Sequence, residues 1–511
     1  MSSAEAAVGT TAVAETEPAA PTLNTGAVGF ISNIVVSLSS VAPAYSLVAT
    51  LGGIVAISAM GVHAPAVLLA SFIPVFGVAY AFKAFNRVEP DCGTSFAWVA
   101  RAIGPRNGWM QGWGIFVADI IVMASLGVVA STHTFLLIGA DSMADSTFWI
   151  LVGALLWTAV MTWIAFRGIE LSAVVQQVLF VGEVVVILLF SVLAFAHLGE
   201  AKGSINPSLD WFNPFAISLS TLSAGVLLGL FIYWGWDTGV SINEETENSA
   251  ETPGTAAVIS TLTLLAIYLV VGAAAQAYAG PEAIAGQDVF EAIGKPVMGD
   301  LTFILDIAII LSAAASTQTT IMPSARVALS MARRESIPAK FGEIHPKYQT
   351  PSYATFFTGI VAAIWTLFVI LISPTQNVLT DSVTAVGFAI CFYYGGTALA
   401  GAWYFRSKAF SGLRSSLELF VLPLVGGLLM AAVFIKALTV YWSPENGLTS
   451  VFGIGTPVVI GIGGLLLGIP LMLLAQGKYP SYFRNETMPS LESYEQNQAD
   501  PEGLAEAAPS A

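Results

Sequence analysis

The stretch Gly225–Asn248, GVLLGLFIYWGWDTGVSINEETEN, decides how this chain is read. It opens as an apolar helix and then meets Tyr233-Trp234-Gly235-Trp236-Asp237-Thr238-Gly239. It resumes for a couple of turns and ends in a cluster of acids. Gly235 and Gly239 loosen the helix, and Asp237 brings a charge into an apolar run. A charge at the middle of a bilayer costs roughly 2.5–3.5 kcal/mol on insertion scales and marks a substrate or ion path. Interrupted backbone is tolerated at that depth only where protein or a water-filled cavity supplies hydrogen-bond partners.

The surrounding composition supports a membrane setting. Of 511 residues, 56% are hydrophobic and only 10% charged, too few charges to cover a soluble protein of this size. Long apolar runs recur where the strands of a membrane barrel would alternate, so the expected class is an all-α integral membrane protein. The net charge of −15 collects in the tails and in the acidic loop after Trp236. No basic stripe exists, which excludes nucleic acid as a partner. Cys92 and Cys391 lack metal-ligand neighbours and His63, His133, His197 and His345 are scattered, so neither a disulfide nor a metal site is expected.

Twelve spans are expected, over 28–58, 63–82, 108–138, 147–166, 173–197, 215–248, 254–279, 298–331, 351–372, 378–405, 416–440 and 452–476. Residues 1–25 and 484–511 read as disordered acidic tails. With the N-terminus inside, fifteen of the 18 lysines and arginines fall on the cytoplasmic side, against Lys202, Lys295 and Lys436. The positive-inside rule therefore predicts both termini in the cytoplasm of a multi-pass plasma-membrane protein.

Span 1 shares a feature with span 6. It reaches Ser39-Ser40-Val41-Ala42-Pro43 before its apolar pattern resumes; Pro43 lacks an N–H, and the serines can bond freed backbone groups. Interruptions at corresponding positions of two halves point to a binding site in a transporter built from inverted repeats.

Four segments together resemble the amino acid–polyamine–organocation (APC) superfamily. They are SLSSVAPAYSL at 37–47, GTSFAWVARAIGP at 93–105 with Gly108-Trp109 and Gly112-Trp113 after it, the Gly235-Trp236-Asp237…Glu244-Glu245 pattern, and the end of span 8 with its loop. That last segment runs through Ser324-Ala325-Arg326, Ile337-Pro338, His345-Pro346 and Thr350-Pro351. The resemblance implies a five-plus-five inverted repeat, over 26–200 and 212–406, with two further spans over 414–477. It also implies a secondary carrier of an amino acid or amine. By the same resemblance, Ser39, Ser40, Val41 and Ala42 would hold a substrate carboxylate. Tyr233, Trp234 and Asp237 would hold its amine, with Trp236 as a gate. The chain departs from the family pattern at Glu183, where several sodium-independent members carry a lysine.

Four acids fall within spans: Asp119, Glu183, Asp237 and Asp306. A carboxyl group buried in low dielectric can take up and release a proton near neutral pH. Glu183 thus reads as a proton carrier, as a sodium ligand beside Ser312, Ser316 and Thr317, or as a structural hydrogen-bonding group. Asp237 is either a substrate contact or a cap of the second half-helix. Asp119 is either a contact for a second substrate amine or a packed structural acid. Asp306 reads as a solvated helix end. Glu244, Glu245 and Glu247 read as a helix end that pairs with arginines of the 83–106 or 326–347 segments and latches the inward gate. Trp109, Trp113 and Trp149 read as interfacial anchors.

The expected function is proton-coupled uptake of an amino acid or amine by alternating access. No cofactor is needed beyond a proton gradient, with sodium the second choice of ion. The alternatives are an amino acid/polyamine exchanger and a non-transporting substrate sensor of the same fold. An enzyme would need a nucleophile–base or metal constellation, and none is present in the sequence.

Overall fold

The computed structural model describes residues 21–372 and 376–492. Most of residues 1–25 and of 484–511 lies outside that range. The described ends are packed: Leu23 is buried, and Thr487 Oγ1 donates to the Arg334 carbonyl at 2.8 Å.

In chain order the helices are α1 (Phe30–Val41), α2 (Pro43–Val55), α3 (Ala64–Val88), α4 (Ser95–Ile103) and α5 (Pro105–Leu137). They continue as α6 (Asp141–Ala144), α7 (Thr147–Phe166), α8 (Ile169–Ala196), α9 (Leu219–Ile232), α10 (Thr238–Ser241) and α11 (Thr252–Ala279). Then come α12 (Pro281–Ile284), α13 (Val289–Met298), α14 (Phe303–Arg333), α15 (Ser352–Ile372) and α16 (Gln376–Ala409). The last four are α17 (Leu413–Ser416), α18 (Leu422–Tyr441), α19 (Thr456–Lys478) and α20 (Pro480–Phe483). A two-residue hairpin, Ser450–Val451 with Ile454–Gly455, precedes α19.

Among the described residues, 11 helical segments are long and apolar enough to cross a bilayer, counting α1 and α2 as one. This is an all-α membrane protein. The span expected over 215–248 is not continuous. α9 stops after 14 residues, about 21 Å at 1.5 Å per residue and short of the ~30 Å hydrocarbon core. Span 1 is likewise divided, at Ala42, which adopts a left-handed backbone (φ 53°, ψ 70°). Pro43 then opens α2, where its missing N–H removes one orphan donor. The segment between the spans expected over 63–82 and 108–138 contains α4.

Helix packing has an exchange symmetry. α5 packs on α14, α3 on α11, and α7 on α15. The α5–α16 contact is matched by α14–α8, α3–α9 by α11–α1, α5–α7 by α14–α15, and α5–α15 by α14–α7. Swapping each of the first five spans with its counterpart in the second five leaves this pattern unchanged. The long inner helices α5, α14 and α16 are largely buried, whereas α8 and α19 turn side chains such as Val178 (68% exposed) and Leu474 (71%) outward.

The two interruptions meet. Gly235 has φ 117°, and a Cβ there would lie 2.9 Å from the Ser40 carbonyl oxygen. A left-handed backbone and a close approach coincide at this position, so only glycine fits. Gly463 of α19, by contrast, has open space. Gly235→Ala should lower stability by about 1–3 kcal/mol, while Gly463→Ala, inside a helix with open space, should not lower it. Thermal melts of the two purified variants in detergent measure the difference.

Candidate functional site

The break in span 1 is held by hydroxyls from three directions. Ser39 Oγ donates to the Gln176 carbonyl of α8 (3.3 Å), and Ser40 Oγ pairs with Thr238 Oγ1 of α10 (2.8 Å). The Ser40 carbonyl accepts from Ser316 Oγ of α14 (2.9 Å), and the Val41 carbonyl from Ser46 Oγ (2.7 Å). Asn33 Nδ2 of α1 donates to the Gly239 carbonyl at 2.8 Å and to Thr246 Oγ1 at 3.0 Å. A parallel bridge between Val28 and Thr246 continues the contact outside the helices. The two broken helices therefore supply each other with hydrogen-bond partners.

At the second break the carbonyls of Ile232, Tyr233 and Trp234 receive no backbone N–H among the described residues. Asp237 sits beside them. Its Oδ1 accepts from Tyr394 at 2.8 Å and its Oδ2 from Tyr393 at 3.0 Å, both on α16. The Trp234 indole donates to Tyr393 Oη (2.5 Å), and the Gly235 N–H reaches Tyr394 Oη (3.4 Å). Although Asp237 precedes α10, its side chain makes no capping bond; the tyrosines hold it instead. The Tyr393–Tyr394 pair was not anticipated, and the only signal for it is a tandem of hydroxyl-bearing rings within the apolar CFYYGG stretch of α16.

Other expected site residues divide. The Tyr233 side chain turns away, donating to the Leu68 carbonyl of α3 (3.1 Å) and packing on Tyr268. Only its backbone is left at the break. Trp236 is fully buried against Phe82 and Tyr394, with ring centroids at 5.1 and 5.2 Å. Asp119 accepts from Ser324 Oγ (2.7 Å) and lies within electrostatic reach of Asp237 and Tyr393. Glu183 is fully buried with Ser312 as its polar neighbour, and neither carboxyl oxygen meets a donor at hydrogen-bonding geometry. Ser312 Oγ accepts the Tyr45 N–H of α2 (3.1 Å), so Glu183 and the α2 terminus share a neighbour. Thr317 Oγ1 bonds back to Ala313 within α14.

Asp306 does lie at a helix end, in the first turn of α14 and 25% exposed, and its Oδ1 lies 2.8 Å from His133 Nδ1 because α5 and α14 pack side by side there. One expectation is corrected. Trp109 is not an interfacial anchor but is buried, and Trp113 donates to the Gly464 carbonyl (2.9 Å).

The acids after Trp236 find arginines. Glu245 pairs with Arg326 at 2.6 Å, with both side chains buried, and Glu244 with Arg333 at 2.7 Å nearer the surface. The arginines lie on the last turns of α14 rather than in the loop. Beside them Glu89 binds Arg101 (2.5 Å) and Arg334 (2.8 Å), and Arg334 also binds Asp91 (2.7 Å). Burial alone would push the Asp91 carboxyl up. The Arg334 charge, with bonds from Ser330 and Gly93, outweighs burial and holds it down at about 2. Asp91, Cys92 and Glu244 bring ligand-type atoms within 4.8 Å of one another. Arg334 and Arg333 already engage the two carboxylates, which disfavours a cation there.

The sequence profile of a family described as amino acid permease matches residues 28–465, which takes in both interrupted helices and the tyrosine pair. The chain belongs to the amino acid permease family. A branched-chain amino acid permease of Bacillus subtilis is 23% identical over 304 residues, 56% of this chain and 63% of that protein. A low-affinity putrescine importer of Escherichia coli is 21% identical over 385 residues, 73% of this chain and 81% of the importer. An arginine/ornithine antiporter of Latilactobacillus sakei is 22% identical over 386 residues, covering 72% and 78%. A permease of this family belongs among transporters rather than enzymes.

The permease's ion pairs make two predictions. Glu245→Gln strands the buried Arg326 charge and should lower stability by about 3–5 kcal/mol. Glu244→Gln, at a half-exposed pair, should lower it by at most about 1 kcal/mol. Melting temperatures that fall equally would contradict this ranking. Asp91 has a depressed carboxyl, so its contribution is present above the unfolded value of about 4 and lost as pH falls toward 2. The stability gap between the native chain and Asp91→Asn should therefore narrow on acidification below pH ~4, as read by melts across a pH series.

Proposed function

We propose that this chain carries an amino acid or amine across the plasma membrane by alternating access, driven by the proton gradient. In this reading the end bearing Arg326, Arg333 and Arg334 faces the cytoplasm, as do both termini. The observation that carries it is the meeting of the two breaks beside three unpaired carbonyls and Asp237. The C-terminus of α9 favours a cation and the N-terminus of α2 an anion, and these two half-helices pack together. An amino acid bound between them would set its amine against the Ile232–Trp234 carbonyls and Asp237. Its carboxylate would lie toward Ser39–Ala42. Asp119 is then available to a second amine, as in a basic amino acid or a diamine.

Proton coupling is assigned to Glu183. An ionised carboxylate without a partner is costly to bury, so this group either carries a proton or holds a cation. Protonation and release beside Ser312 would act on α2 through the Tyr45 N–H. Exchange is the second reading, supported by the similarity to an arginine/ornithine antiporter.

Proteoliposomes tested with labelled amino acids and putrescine, under separate proton and sodium gradients, decide between these readings. Accumulation driven by protons alone is the expected result. Glu183→Gln should abolish accumulation and spare exchange. Tyr394→Phe, which removes a bond to Asp237, should raise KM about tenfold. Absence of both accumulation and exchange for every compound would end the carrier reading.

A further inference from the structure

A crevice of about 310 Å3 lies at the arginine-bearing end, between α5, α14, α15 and α19 and outside the paired breaks. Its walls include Trp113 and Phe116 of α5, Met331 of α14, Phe357 of α15 and Leu474 of α19. α15 and α19 each pack on α5, so α5 forms the back of the crevice. Phe357 is 36% exposed and Leu474 71% exposed, so the opening faces the surroundings of the bundle. In a membrane-spanning chain those surroundings are lipid.

The chemistry of the lining selects an occupant. The hydroxyls of Ser324, Ser336 and Thr358 are bonded to Asp119, to the Met331 carbonyl and to the Ala354 carbonyl. A water inside would find few of the 2–4 partners it requires, whereas apolar cavities of this kind take apolar guests. A free amino acid would find no carboxylate for its amine among the lining residues. The charged residue of the lining is Lys478, exposed on the last turn of α19. Arg106 is tied to the neighbouring Gln476 at 3.2 Å, and Lys340 lies over Tyr353, 4.5 Å from its ring centroid. The site thus has an apolar depth and a cationic mouth. Basic pockets between helices at the cytoplasmic side suit anionic lipid headgroups.

We propose that this crevice binds an anionic phospholipid of the adjoining leaflet, with one acyl chain inside and its phosphate against Lys478. The inner wall includes Ser324, whose hydroxyl holds Asp119 at 2.7 Å. Occupancy therefore bears on the acid next to the substrate region and on the α14 turns that carry Arg326 and Arg333. The lipid site depends on the membrane setting and not on the substrate or the coupling ion, so its test is separate from the transport assay.

The test uses the full chain in nanodiscs of equal phosphatidylglycerol, phosphatidylethanolamine and phosphatidylcholine. Retained lipids are counted by native mass spectrometry after transfer to mild detergent. One phosphatidylglycerol should be retained, with about fivefold preference over phosphatidylcholine. Ala475→Phe, which fills the crevice, should lose it. Lys478→Gln, a surface change that leaves packing intact, should keep one lipid without headgroup preference. Retention in proportion to bulk composition would mean annular lipid only and would overturn the proposal, as would an undiminished preference in Lys478→Gln. Equal retention of phosphatidylglycerol by a folded Ala475→Phe would place the lipid elsewhere and overturn it as well.

Discussion

A polar backbone group inside a bilayer has no water to turn to, so every interruption of a membrane helix needs a partner within the protein. Here the partners are two interruptions that satisfy each other. Ser40 meets Thr238, Asn33 meets the Gly239 carbonyl, and Gly235 lets its backbone reach Ser40. Removal of either break would strand polar groups of the other. What is left over among the described residues is three carbonyls without a backbone donor and a carboxylate clamped by two tyrosines.

A second set of constraints lies at the arginine-bearing end. Glu245 and Arg326 are both buried, and Glu89 and Asp91 share Arg334. Such pairs add little net stability compared with apolar packing, yet losing one partner is expensive. α20 and the segment beyond it join them: Arg334 reaches Met488, Arg101 donates to the Pro489 carbonyl, and Tyr482 stacks on Phe96. Opening at this end would have to break charged contacts between α14, the α3–α4 connection and the acids after α10.

Glu183 and Asp237 show why two buried acids in one protein differ. Asp237 has two donors that fix its orientation. Glu183 has Ser312 as its polar neighbour and no donor at hydrogen-bonding geometry. Asp119 stands between them in character, with one donor from Ser324 and an electrostatic link to Asp237.

The class and the positions of both breaks were legible in the sequence because each follows from local chemistry. Apolar runs demand a bilayer, Pro43 and Gly235 interrupt helices, and a charge in an apolar run needs a reason. The pairing of Glu244 and Glu245 with arginines was also anticipated, since like charges at a helix end need counter-charges. Side-chain direction was not legible. The Tyr233 ring faces α3 while its carbonyl stays at the break, the Asp306 carboxylate meets His133, and Tyr393 and Tyr394 hold Asp237. Those outcomes depend on helix rotation and on which of several neighbours lies opposite, quantities set by contacts between residues more than a hundred positions apart. The sequence by itself determined where the Gly225–Asn248 helix would break; only the tertiary structure decided what would face the break, because packing rather than local propensity orients a side chain inside a membrane bundle.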